Sequence, residues 1–214
     1  MSDAPATTLL LIRHGATEAN ERVPYILQGN GIDLPLSETG RAQAASVGKF
    51  LSDVPLTAVY SSGMVRANET AAAIAEPHGL EVRTAEGIHE VNVGRWEGMN
   101  WGDIEAEHPA EYAAFRANPG HVAYLHGESY AAVLARAAPA FAQLLVRHAG
   151  ERFAVVAHNV VNRAYLAALL GMPLDRAADL RQSNACVNVI THVDGQAPRV
   201  ESVNQNRHVP GAWD

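Results

Sequence analysis

Apolar residues along this chain fall into short runs separated by amphipathic stretches. Residues 8–13 are almost continuously apolar, with no polar alternation, the pattern of a strand buried on both faces of a parallel sheet. Residues 57–61, 80–84 and 153–157 read as further strands, and 186–193 and 199–204 as two more near the end. Between them the apolar period becomes helical. Ser37 has the character of a cap for a helix that runs to residue 51. A second helix covers 66–76 and closes at the turn around Pro77 and Gly79; another covers 160–170. A long helix spans 129–148 and ends at Gly150, and Pro139 inside it is expected to kink or split it. Residues 86–128 are richer in Gly, Trp, His and Pro and are expected to hold loops with short helices at 101–107 and 110–117. Strands alternating with helices predict a three-layer α/β/α sandwich around a mostly parallel sheet. The expected layout is a loose N-terminus at 1–7, a single domain over 8–208 with a lid-type insertion near 97–128, and a tail at 209–214.

Composition narrows the class. The 214 residues include 16 Lys and Arg against 23 Asp and Glu, a formal charge of −7. That balance argues against a nucleic-acid partner, whose electrostatic footprint is basic. There is no polybasic run for an anionic membrane surface and no apolar stretch of about 18 residues, so no membrane partner is expected. The first residues carry an acid and no basic segment, unlike a signal peptide. The single cysteine, Cys186, sits in an apolar strand pattern and reads as a small buried hydrophobe. With no thiol to pair with, it fits a reducing cytoplasm. His121, His126 and Glu128 invite a metal reading, but they lack the spacing of a zinc site, so neither metal nor cofactor is expected. The alanine-rich stretch 131–145 is either core or an interface face, the second being the one feature that fits a homodimer.

Ligands of open α/β sheets bind at the carboxyl ends of the strands. Here the first strand ends in Arg13, His14 and Gly15; the second runs into Ser61, Ser62 and Gly63, with Arg66 just beyond. The strand at 153–157 ends in His158 and Asn159, and Glu90 follows the third strand. Two histidines, two arginines and an acid thus converge on one sheet edge from distant segments. Planar guanidinium forks suit phosphate oxygens. An imidazole can be a nucleophile, a second can steady developing charge, and a carboxylic acid can protonate a leaving alkoxide. The set is sufficient for phosphoryl transfer without a metal.

These residues carry a resemblance. The run Leu11, Ile12, Arg13, His14, Gly15, Ala16, Thr17 with Asn20 shortly after is similar to the signature of the histidine phosphatase superfamily, in its phosphoglycerate mutase-like branch. The likeness continues through Leu27, Gln28 and Gly29, the stretches 33–44 and 60–67, His89 and Glu90 with 94–98, and Val155 to His158 with Arg163. It spans about residues 8–208. The resemblance implies that His14 accepts the phosphoryl group and that Arg13, Arg66 and His158 line the phosphate pocket. Glu90 would protonate the leaving group and then activate water. Asn20 and Ser62 would contact phosphate or support the pocket, although both residue types also serve as caps. Gln28 and Gly29 would border the substrate. Arg163 reads as support for its helix or an ion pair. One departure stands out: many members have glycine after the second histidine, where this chain has Asn159, whose backbone amide can still donate to the phosphate and whose side chain narrows the space beside it.

The segment from Glu97 to Glu128 is short and carries one arginine, Arg116, and no lysine, with bulk from Trp101, Tyr112, Phe115 and Tyr124 and three histidines, His108, His121 and His126. Mutases of the branch carry a longer, more basic insertion. Gly127, Glu128 and Ser129 resemble the opening of the long helix in phosphatase-type members. The expected function is therefore a metal-independent phosphomonoester hydrolase, using a phosphohistidine intermediate to release inorganic phosphate from a small phosphorylated metabolite. The alternatives are a phosphoglycerate mutase-type transfer and an inactive member that binds a phospho-ligand or a protein partner.

Overall fold

The computed structural model describes residues 6–209. Most of the expected loose N-terminus and C-terminal tail lies outside them, but Thr7 already belongs to the first strand and Val209 is buried. Six strands form one sheet: β1 (Thr7–Arg13), β2 (Ala58–Ser61), β3 (Val82–Thr84), β4 (Arg152–Ala157), β5 (Val187–His192) and β6 (Arg199–Gln205). Their spatial order is β3-β2-β4-β1-β5-β6. The first four run parallel, while β5 pairs antiparallel with β1, and β6 antiparallel with β5.

The helices are α1 (Glu18–Glu21), α2 (Glu38–Leu51), α3 (Val65–Ala75), α4 (Trp101–Glu107), α5 (Pro109–Ala117), α6 (Tyr130–Arg147) and α7 (Asn159–Leu169). Alternation along β1 sorts them into layers. Leu9 and Leu11 join the core under α6 and α7, whereas Leu10 and Ile12 join the core under α2 and α3. Burial on both faces is why this strand shows no polar alternation.

The expected elements are found with their ends moved by one or two residues, and Ser37 does cap α2 by accepting from the Gly40 amide. The short α1 and the 3-10 turns Gly94–Trp96 and Leu174–Asp179 had no periodic signal long enough to find. Pro139 is the clearest correction: α6 runs through it as one helix. Pro139 and Ala135, whose carbonyl loses its donor, are both exposed, so water can replace the missing bond. The opposite stripe, Val133, Ala137, Phe141, Leu144 and Leu145, is buried, and Phe141 stacks on Tyr165 of α7 at 4.3 Å. One face of the alanine-rich stretch is therefore core, while Ala132, Ala135 and Ala142 on the other face are exposed.

Candidate active site

Strand register assembles the site. Arg13 pairs with Ala157, and Ser61 with Val156, so β1, β4 and β2 end side by side. The ladder extends one residue further: the His14 amide donates to Ala157 O and the Ser62 amide to Val156 O. His14, His158 and Ser62 consequently meet, and the two imidazole centroids lie 5.1 Å apart. The turn after His14 is packed from behind by the start of α2. A Cβ on Gly15 would come within 2.5 Å of Gly40 O, and one on Gly40 within 1.9 Å of Ala16 O, so both positions require glycine.

His14 is 3% exposed. Its Nδ1 lies 2.6 Å from Gly15 O, which accepts a hydrogen bond from Nδ1–H and leaves Nε2 with the lone pair. Arg66 Nε donates to that Nε2 at 3.3 Å. Burial, then the charges of Arg66 and Arg13, hold the His14 imidazole well below its ordinary 6.5, against the bond to Gly15. It is a neutral base with its free nitrogen turned to the cations.

Arg66, 1% exposed, enters on the first turn of α3. Its Nη2 donates to Gly29 O at 2.9 Å and its Nη1 to Ile32 O at 3.2 Å, with Asp33 at 3.4 Å. Glu97 in turn accepts from the amides of Gly31 and Ile32 and fixes that loop. Arg13 Nη1 donates to Gln182 O at 2.5 Å, and its buried Nε has no protein partner. Burial draws Arg13 down to about 10, which keeps it a cation at neutral pH.

His158 is fully buried and titrates well below 6.5, first through burial and then through Arg66. Its Nε2 lies 2.7 Å from Ser62 Oγ, which itself accepts from the Met64 amide. The Ser62 hydroxyl can then donate to Nε2 and leave Nδ1 as the donor, an atom with no protein partner. Gln28 behaves alike: its Oε1 accepts from Thr17 Oγ1 at 2.7 Å while its buried Nε2 has no partner. Three buried donors without acceptors, on Arg13, Gln28 and His158, surround the nucleophilic candidate, which is what an oxyanion requires.

Glu90 is buried against the start of α7. Its carboxyl accepts from the amides of Asn159 at 3.1 Å, of Val160 at 3.3 Å and of its neighbour Val91 at 2.9 Å. The amide of Asn159, read from sequence as a donor to phosphate, is thus spent on the acid. Arg136 of α6, which sequence reading missed, holds the loop of Glu90. It donates to Gly87 O, His89 O and Glu90 O, and grips Glu128 with two bonds of 2.8 and 3.0 Å. Burial alone would raise the Glu128 carboxyl, but Arg136 and the Asn92 amide bring it below its usual range. The available signal was an arginine within the apolar helix, eight residues beyond Glu128.

A cavity of about 430 Å³ opens over these groups, lined by Arg13, His14, Asn20, Gln28, Gly29, Arg66, Glu90 and Asn159 among others. Neither Ser62 nor His158 is among the lining residues; the two are bonded to each other behind His14. Asn20 does both things expected of it, lining the cavity and accepting from the Thr17 amide to close the start of α1. Asn184 and Gln182 also line it; the first donates to His14 O and the second carries the carbonyl that holds Arg13. The roof is aromatic. Trp101, Phe115 and Tyr124 pack with centroids 4.4–6.5 Å apart, and Trp101 Nε1 donates to Tyr25 OH at 2.6 Å. His108, His121 and His126 do not line it; Arg116 and Arg163 do. Among the described residues, no group of three or more His, Cys, Asp or Glu is placed to hold a metal ion, and no helix is long and apolar enough to cross a membrane.

Comparison with known proteins gives a consistent set. The family described as the histidine phosphatase superfamily (branch 1) matches residues 9–206. Phosphoserine phosphatase 1 of Hydrogenobacter thermophilus is 33% identical over 201 residues, 94% of this chain and 93% of that protein. Glucosyl-3-phosphoglycerate phosphatase of Mycobacterium tuberculosis is 32% identical over 177 residues, 79% of this chain and 78% of that one. Among solved structures, YhfR of Bacillus stearothermophilus superposes with a TM-score of 0.86 at 34% identity, covering 95% of this chain and 99% of its own.

Proposed function

We propose a mechanism from one premise: the chain belongs to the histidine phosphatase superfamily and is a phosphomonoesterase acting on small phosphorylated metabolites. His14 Nε2 attacks phosphorus and the bond to the ester oxygen breaks, giving a phosphohistidine. Arg13, Arg66, the Gln28 amide and His158 bind the phosphoryl oxygens, where charge must be stabilised. Glu90 gives its proton to the departing alkoxide. It then takes a proton from the water that attacks phosphorus, the N–P bond breaks, and inorganic phosphate leaves. The reaction needs no metal for its proton or charge balance.

The observation that carries this reading is the His14 ring, with Nδ1 tied to Gly15 O and Nε2 facing Arg66 in a pocket of unanswered donors. The relatives named for phosphoserine and glucosyl-3-phosphoglycerate support a small phosphorylated acid as substrate. The buried free thiol of Cys186 supports work in a reducing cytoplasm.

The test is phosphate release from an activated aryl phosphate in excess chelator, with wild type and His14→Ala side by side. Release by the wild type alone is expected. Full activity in His14→Ala would remove the phosphohistidine. Isomerisation of a phosphoglycerate without phosphate release would make the enzyme a mutase.

A further inference from the structure

The cavity has more cations than a phosphoryl group requires. Arg13 and Arg66 converge on His14, but Arg163 also lines the cavity, with the exposed Arg116 at its rim. Glu90 is the sole acid among the lining residues.

Arg163 and Asn159 lie four residues apart on α7, and so on one face of it, their Cβ atoms about 5–6 Å apart. Helical side chains lean toward the N-terminus, which for α7 is the end at the site. Arg163 Nε donates to Leu180 O at 2.8 Å, which fixes the guanidinium plane. Tyr130 lines the same cavity, and burial raises its phenol, which stays protonated. Nη1 and Nη2 make the planar fork that suits a carboxylate. Asn159 supplies the opposite complement. Its Oδ1 is a buried acceptor with no protein partner, an arrangement that costs stability unless something answers it. Glycine, common here in the family the sequence resembles, would leave no such atom. Because the Asn159 amide also holds Glu90, one rigid helix sets the spacing between the acid and this pair.

We infer that Asn159 and Arg163 recognise the alcohol half of the substrate. The fork of Arg163 takes a carboxylate, and Asn159 Oδ1 takes a hydrogen-bond donor on the adjacent carbon. The substrate class is the phosphomonoester of a small hydroxy acid that carries an amino group or a second hydroxyl beside its carboxylate. This rests on the phosphatase reading, and the two can fail separately.

The test measures kcat and KM on four esters: O-phosphoserine, 3-phosphoglycerate, O-phosphoethanolamine (which lacks the carboxylate) and an aryl phosphate. Wild type is expected to favour one of the two carboxylated esters over phosphoethanolamine by about 10–100-fold in kcat/KM, the size of one charged hydrogen-bonded contact. The favoured one identifies the donor as amine or hydroxyl. Arg163→Gln should lower kcat/KM for that ester at least about tenfold more than for the aryl phosphate, mainly through KM, and Arg163→Lys should recover part of it. Asn159→Leu should narrow the gap between the amino and hydroxy esters. A wild type that cleaves aryl phosphate without preferring carboxylated esters overturns the inference, and needs no variant to fold. Equal losses on all four esters in Arg163→Gln overturn it as well, since they mark a structural role. Failure to cleave even the aryl phosphate overturns the phosphatase reading and this inference with it.

Discussion

Arg66 Nε addresses His14 Nε2 directly, at 3.3 Å, and no other side chain is bonded to that nitrogen among the described residues. In the proposed mechanism the guanidinium marks the direction from which phosphorus approaches, and the group that, after burial, disfavours protonation of His14 would also meet the phosphoryl oxygens. Arg66→Lys keeps a charge but loses the fork and the bonds to Gly29 O and Ile32 O. A fall in kcat of about 10²–10³ is expected, the range for removing one donor to a developing oxyanion. Steady-state kinetics on an aryl phosphate measures it, and a loss below about fivefold would contradict the placement.

Arg136 acts through Glu90 without touching the cavity. Arg136→Met removes the clamp on Gly87 O, His89 O and Glu90 O and strands Glu128. The expected loss in kcat is about 10–10², and it should be larger for alkyl esters than for an activated aryl phosphate, whose leaving group needs little protonation. Equal losses on both would make Arg136 a folding residue only.

Acid should weaken the free enzyme. His14 and His158 are held well below 6.5 in the fold, by burial first and then by the guanidiniums. Below about pH 6.5 the unfolded chain therefore binds more protons than the folded one. The stability contributed by the neutral imidazoles is whole above that pH and declines as pH falls toward the folded values. Urea midpoints at pH 7.5 and 5 should show the drop, and His158→Gln should make it smaller.

Cys186 should be silent in the native state. It is fully buried, and burial raises its thiol to about 11 despite nearby Arg13. A thiol-reactive chromophore is expected to label it only after unfolding; rapid labelling of native protein would show that the segment before β5 opens.

The strands and their ends were legible because a doubly buried strand must be apolar throughout, and because parallel register brings strand ends together whatever lies between. Arg13, His14, Ser62 and His158 could thus be grouped from the chain alone. Pro139 misled because α6 carries it on its exposed face, where water can answer the freed Ala135 carbonyl, while the buried stripe opposite holds the helix together. Composition of the roof segment did not say which rings face the cavity: Trp101, Phe115 and Tyr124 line it, while His108, His121 and His126 do not. Arg136, Gln182 and Asn184 escaped notice because their work goes through backbone carbonyls, which leave no mark in a side-chain pattern. Arg163 was half legible, since it does brace Leu180 while also lining the cavity.

β1 is bonded to β4 on one side and β5 on the other, so the segment leading to His14 has no edge. Its amides belong with the unit that opens last, whereas α4 and α5 contact one another more than the sheet and open at lower cost. Amide exchange should be slowest at Leu9 to Ile12 and fast across the roof. A mildly destabilised variant would accordingly lose discrimination among leaving groups first and keep phosphoryl chemistry longest, so drift in the roof can change what is hydrolysed while the nucleophile stays in place.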